Sequence, residues 1–272
     1  MTLDHRPILL GLAILLLVGC SPAAQPELGD PALIDTCVPS APAAELGLNT
    51  FYVKYCDVSG LHVVSSAEVP NEALIATGEI VAQMIGPLPQ TAIAGLQSID
   101  LRIGVIGVDQ VTTDMPEYAD LDSAFPGVDW DERSRGLGAT RERPLTSSGE
   151  ENLLCYAGAR YSGESILVHE FGHTIKDFAM AAVDGTFSGR VEDAYDGAMN
   201  AGLWANTYAA ANPEDYWAEG VQSYFDANVA AEPPNGVHNH VDTRDELAAY
   251  DSVLFDLVDE VFDGATVDAS CS

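Results

Sequence analysis

The stretch "ILVHEFGHTI", Ile166 to Ile175, limits what this chain can fold into more than any other segment. His169 and His173 stand four apart, with Glu170 directly after the first, in an otherwise apolar run. On a helix, positions i and i+4 lie on one face about one turn apart. Both imidazoles can then grip one metal ion. Ile166, Leu167, Phe171 and Ile175 supply apolar faces, so the helix is expected to be buried. Ser162 or Ser165 can cap its start. Gly172 costs up to about 1 kcal/mol inside a helix, which close packing must offset.

The pattern H-E-x-x-H carries a definite chemistry. Two imidazoles hold one zinc ion through ring nitrogens at about 2.0–2.1 Å. Glu170, one residue round from His169, can take a proton from water and pass it to a leaving amine. The alternative is a helix whose two histidines are merely satisfied core or surface residues. With only 6 histidines in the chain, chance placement of the motif is rare.

Two histidines need a third protein ligand. No histidine follows His173 at the metzincin spacing, so a carboxylate is expected. The richest source is "NTYAAANPEDYWAEGVQSYF", Asn206 to Phe225, where Asp215 and Glu219 are four apart and share a helical face. One can bind metal while the other accepts the second ring N–H of a ligand histidine. Asn212 and Pro213 also read as an N-cap and a first helical residue. That places Asp215 at the third helical position, where capping and the helix dipole favour an acid in any case. On that reading Glu219 is the ligand, with Glu214 a third option.

The motif HEFGH, followed by Tyr208 and then by "DYWAE", resembles the gluzincins related to anthrax lethal factor and the Pro-Pro endopeptidases. The likeness runs from His169 to Glu219. It implies a zincin-like metallopeptidase domain with one Zn2+. It makes Asp215 the third ligand, Glu219 the carboxylate behind the ligands, and Tyr208 the donor to the oxyanion. The family has Glu where this chain has Asp215. The resemblance also places, near "PLTSSGEENLL", an edge strand that pairs with substrate.

The fold is expected to be α+β, with a mixed sheet early and active-site helices late. "FYVKYCDVSGLHVVSS" reads as two strands about a turn at Ser59-Gly60. "NEALIATGEIVAQMIG" reads as a helix and "LRIGVIGVD" as a buried strand. Mixed patterning after that leaves room for one or two more strands. Three later segments read as helices: Glu164 to about Met180, Asn212 to about Asp226, and Thr243 to about Phe262. Thr243 and Glu246 form a capping box for the last.

The first residues read as an export signal. Arg6 precedes an apolar run, Ile8 to Val18, too short to span a bilayer. Leu17-Val18-Gly19-Cys20 resembles a bacterial lipobox, which implies cleavage before Cys20 and its lipidation. The expected layout is a signal over 1–19, an Ala/Pro-rich tether over 20–45, and a catalytic domain over 46–272. The expected location is outside the cytoplasm, anchored to a membrane through the lipid alone. Cys37, Cys56, Cys155 and Cys271 then suggest two disulfides rather than free buried thiols; of the three pairings, Cys37 with Cys56 and Cys155 with Cys271 is preferred because it ties each terminal segment to the body.

The formal net charge of -31 excludes nucleic acid and anionic lipid as binding surfaces. It suits a saline medium. Arg133, Arg135, Arg141 and Arg143 form a basic cluster, read either as a site for a substrate carboxylate or as local pairing. His238 and His240 are a weaker metal candidate or a contact at the cleft rim. The expected function is a zinc endopeptidase acting on a peptide or protein. The alternatives are a lipoprotein with an inert zinc site that only binds, or a zinc hydrolase of a non-peptide amide or ester.

Overall fold

Strand alternation sets the frame that the metal helix packs on. In the computed structural model, which describes residues 37–269, β1 (Lys54–Val58) and β2 (Leu61–Ser65) form an antiparallel hairpin. Ser59 and Gly60 turn it with φ of 53° and 78°, the left-handed pair that matches strand twist. β3 (Arg102–Ile106) and β4 (Leu145–Gly149) add in parallel, in the order β1-β2-β3-β4. Val63, Ile103 and Val105 face the main core. Val64, Ile106 and Leu145 face a second one with Tyr52, Met115 and Tyr118. Gly104 sits on this second side, where a Cβ would come within 2.7 Å of Met115.

A parallel β2–β3 pair needs a crossover. Helices α1 (Asn71–Ile85) and α2 (Gln90–Gln97) supply it. The later helices are α3 (Ile166–Thr174), α4 (Phe187–Ala201), α5 (Pro213–Tyr224), α6 (Arg244–Tyr250) and α7 (Ser252–Phe262). The sequence pattern showed neither α2 nor α4. Two expected helices are altered. The metal helix does not run on to Met180 as one α-helix: Ile175–Met180 widens into a π-helix. The last helix breaks at Asp251, a buried carboxylate that accepts from Leu254 N, Trp204 Nε1 and Tyr216 Oη at 3.1, 2.9 and 2.7 Å. The order is α+β, with sheet early and helices late.

The N-terminal segment is pinned to the sheet, and the expected edge strand is present but covered. Cys37 is bonded to Cys56, and Ser40 exchanges backbone hydrogen bonds of 2.8 Å with Tyr55. Cys37 and Ser40 are thus joined to β1, through the disulfide that the sequence suggests and the backbone pairing beside it. β4 is the edge strand, but its residues are all buried and Ser147 N donates to Leu137 O at 2.9 Å. Its outer side is thus already covered. Cys155 is disulfide-bonded. Cys271, Cys20 and the expected signal lie outside the described residues. Among the described residues no helix is long and apolar enough to cross a membrane.

Candidate metal centre

The centre is built by packing α3 against α5. Ser165 caps α3 by accepting from Val168 N at 3.3 Å, and Asn152 Oδ1 accepts from Ile166 N at 2.9 Å. Gly172 meets Val221 of α5, where a Cβ would stand 3.3 Å away. Its carbonyl accepts from Trp217 Nε1 at 2.9 Å. This is the close packing that the glycine was expected to require.

Asn212 and Pro213 open α5 as the sequence suggests, with Asn212 Oδ1 accepting from Asp215 N at 2.8 Å. Asn212 Nδ2 also donates to Asp215 Oδ2 at 2.7 Å. The other oxygen, Oδ1, faces the histidines, 3.9 Å from His169 Nε2 and 3.7 Å from His173 Nε2. Ligand atoms of His169, His173 and Asp215 all lie within 4.8 Å of one another, so this group can hold a metal ion. The helix cap uses the Asp215 N–H, and the bond from Asn212 Nδ2 uses Oδ2, so Oδ1 is left free to face a metal.

Glu219, one turn further along α5, lies on the far side of the His169 ring. Its Oε1 is 3.7 Å from Nδ1, and its Oε2 accepts from Asn228 Nδ2 at 3.1 Å. The nearest partner of Nδ1 is Gln222 Oε1, at 2.7 Å. Gln222 is fully buried, and its amide nitrogen donates to Ser165 O at 3.2 Å. That leaves Oε1 to accept from Nδ1–H and frees Nε2 for a metal. Sequence reasoning did not single out Gln222. Its place one helical turn beyond Glu219 was the only signal.

Burial and charge set the protonation states. Burial alone would lower the His169 pKa, but the carboxylates of Asp215, Glu170 and Glu219 outweigh it and raise the value to about 9. Burial, then the charge on His169, pushes His173 down to about 3. Burial lifts the Glu170 carboxyl, opposed by His169 and by the Gly138 N–H. Burial, then the Asp215 and Glu170 charges, raises the Tyr208 phenol to about 12. Tyr208 therefore stays a proton-bearing donor. Its ring stacks on His169 at 6.2 Å, and 38% of the residue is exposed to the cleft and solvent.

These groups line a cleft of about 630 Å³. Leu137–Thr140, rather than β4, forms part of its wall. Of the lining residues, Arg160 and Tyr161 just precede α3 and bond to the backbone at 132–133, whereas Asp177 follows α3 and shares Lys176 with Glu214. Buried Lys176 pairs with Asp177 at 2.6 Å and Glu214 at 3.4 Å. In the basic cluster, Arg135 pairs with Glu151 and Arg143 with Asp120. Arg141 lies over the Phe178 ring. His238 faces Glu164 at 3.7 Å while His240 packs on Tyr250, so the two histidines do not share a site.

Compared with known proteins, the chain matches no protein-family model and no curated protein.

Proposed function

We propose that the protein is a zinc-dependent endopeptidase of the zincin type. The observation that carries this reading is the His169–His173–Asp215 group, buried at His169 and Asp215 and half-buried at His173, with Glu170 beside it in an open cleft. Two imidazoles and one carboxylate suit zinc and leave a coordination position free. Zinc bound there supplies Lewis acidity toward a carbonyl and toward water.

The chain's own residues do the rest. Gln222 holds the His169 ring by accepting from Nδ1–H. Asn212 fixes the Asp215 carboxylate. Glu170, with its raised pKa, receives a proton from water and returns it to the leaving amine. Tyr208 keeps its proton and donates a hydrogen bond to the developing oxyanion. An open site is favoured over an inert, fully coordinated one because Glu219 faces the other ring nitrogen of His169. A cleft lined from Arg160 to Glu214 has room for an extended peptide, which favours that substrate over a small amide or ester. The reading includes export and a lipid anchor at Cys20.

The test is a diverse peptide library incubated with the zinc-loaded protein and read by mass spectrometry. Glu170→Gln runs beside it. Cleavage by wild type, with loss in the zinc-replete variant, is expected. Zinc bound with no cleavage by either protein would overturn the reading.

A further inference from the structure

Carboxylates outnumber basic side chains 42 to 11 in this chain, so an arginine without an acidic partner is unusual. Arg102, Arg135, Arg143 and Arg190 all sit in ion pairs. Arg133 and Arg160 form none among the described residues, and both line the cleft. Arg141 and Arg244, also unpaired with acids, do not line it.

The two cleft arginines are fixed to one wall. Arg160 donates to the carbonyl of Glu132, beside Arg133, and its guanidinium lies 5.3 Å over the Tyr161 ring. Tyr161 Oη donates to Arg133 O at 3.3 Å. Arg133 lies 5.7 Å from the Trp130 ring and close enough to the Tyr208 phenol to oppose its rise in pKa. Glu164, the acid at this end, is turned toward His238. The opposite end is lined by Asp177 and Glu214, which share Lys176; Arg141 lies nearby over the Phe178 ring but does not line the cleft. The cleft is therefore polarised along α3.

An unpaired guanidinium offers a planar fork that matches a carboxylate. We propose that Arg133 and Arg160 form a carboxylate-binding subsite, so that substrates carry an anionic group on the side of the scissile bond nearest the start of α3. The other end lines the cleft with carboxylates instead, which fixes the register. This inference rests on the peptidase reading and names its substrate class. The carboxylate comes from an acidic side chain or from a free C-terminus.

The test uses the full-length, zinc-loaded chain carrying Glu170→Gln, so that binding is read without turnover. One arm walks a single Glu along an otherwise neutral, amidated, labelled peptide. A second arm uses the neutral peptide with a free C-terminal carboxylate, and the neutral amide is the reference. By fluorescence anisotropy, one acidic peptide is expected to bind about tenfold tighter than the amide, the size of one charge-assisted hydrogen bond. The arm that shows the preference identifies the source. Adding Arg133→Gln and Arg160→Gln, singly and together, is expected to erase the preference while zinc content and Tm hold. Raised salt is expected to shrink it. Equal binding of all peptides, binding of none, or a preference that survives both substitutions overturns the subsite. A preference that holds while wild type cleaves nothing keeps the subsite and removes the peptidase reading instead.

Discussion

Asp215 divides its carboxylate between Asn212 and the two histidines, and Gln222 fixes the back of one ring. On the proposed reading, metal affinity therefore rests on neutral partners as well as on ligands. Gln222→Leu keeps the volume but removes the acceptor for Nδ1–H, and is expected to weaken zinc affinity by about 10–100-fold. Asp215→Asn is expected to weaken it further, because the anionic ligand is lost. Competition with a chromogenic chelator measures both, and wild-type affinity in Gln222→Leu would remove it from the centre. The histidines also give a pH signature. His169 is raised to about 9, so in the metal-free protein it keeps its proton below that pH; His173, lowered to about 3, is neutral above it. A metal bound through Nε2 must displace the His169 proton, so on the proposed reading its affinity is expected to rise with pH between these values. Histidine NMR of the metal-free protein should find His169 charged at pH 8 and His173 neutral at pH 5. His169 and His173 both titrating near the ordinary value would refute the assignment. HEFGH was legible because its spacing maps onto one helical face. Gln222 and Arg160 were not, since what marks them is a neighbour far away in sequence.

Helices were legible where large apolar residues repeat, as in α1, α3 and α5. They were missed where small residues carry the contact. α4 buries Phe187, Val191, Ala194 and Ala198, a helical stripe that is half alanine. In α2 Gly95 faces the carbonyl of Phe178, where a Cβ would stand 2.3 Å away, so close approach replaces side-chain bulk. The break between α6 and α7 was hidden for another reason. Apolar periodicity runs straight through Asp251, whereas the buried carboxylate needs donors that a continuous helix would deny it. Asp251→Ala leaves Trp204 Nε1 and Tyr216 Oη buried without an acceptor and removes a cap. It is expected to cost about 2–5 kcal/mol in denaturant unfolding. A loss below about 0.5 kcal/mol, the range of ordinary surface changes, would show that the network does not hold the helices.

Across the whole molecule, the excess of acid acts against folding. The net charge of -31 means that each exposed carboxylate sees mostly like charge. The arginine pairs, such as Arg190 with Glu260 at 2.6 Å, offset little, since exposed pairs contribute about 0–1 kcal/mol. Salt screens both effects, with a Debye length that falls from about 10 Å at 0.1 M to about 3 Å at 1 M. Repulsion involves many more groups than pairing, so its relief wins, and Tm is expected to rise with potassium chloride. α4 allows the cause to be isolated. Glu192, Asp193 and Asp196 are exposed on it, apart from the metal centre. Neutralising all three to Gln, Asn and Asn is expected to raise Tm at low salt and to flatten the salt response. A Tm independent of salt in the wild type would mean that the charge is already compensated, for example by bound cations. A Tm that falls with salt would mean that the ion pairs outweigh the repulsion, reversing the sign argued here.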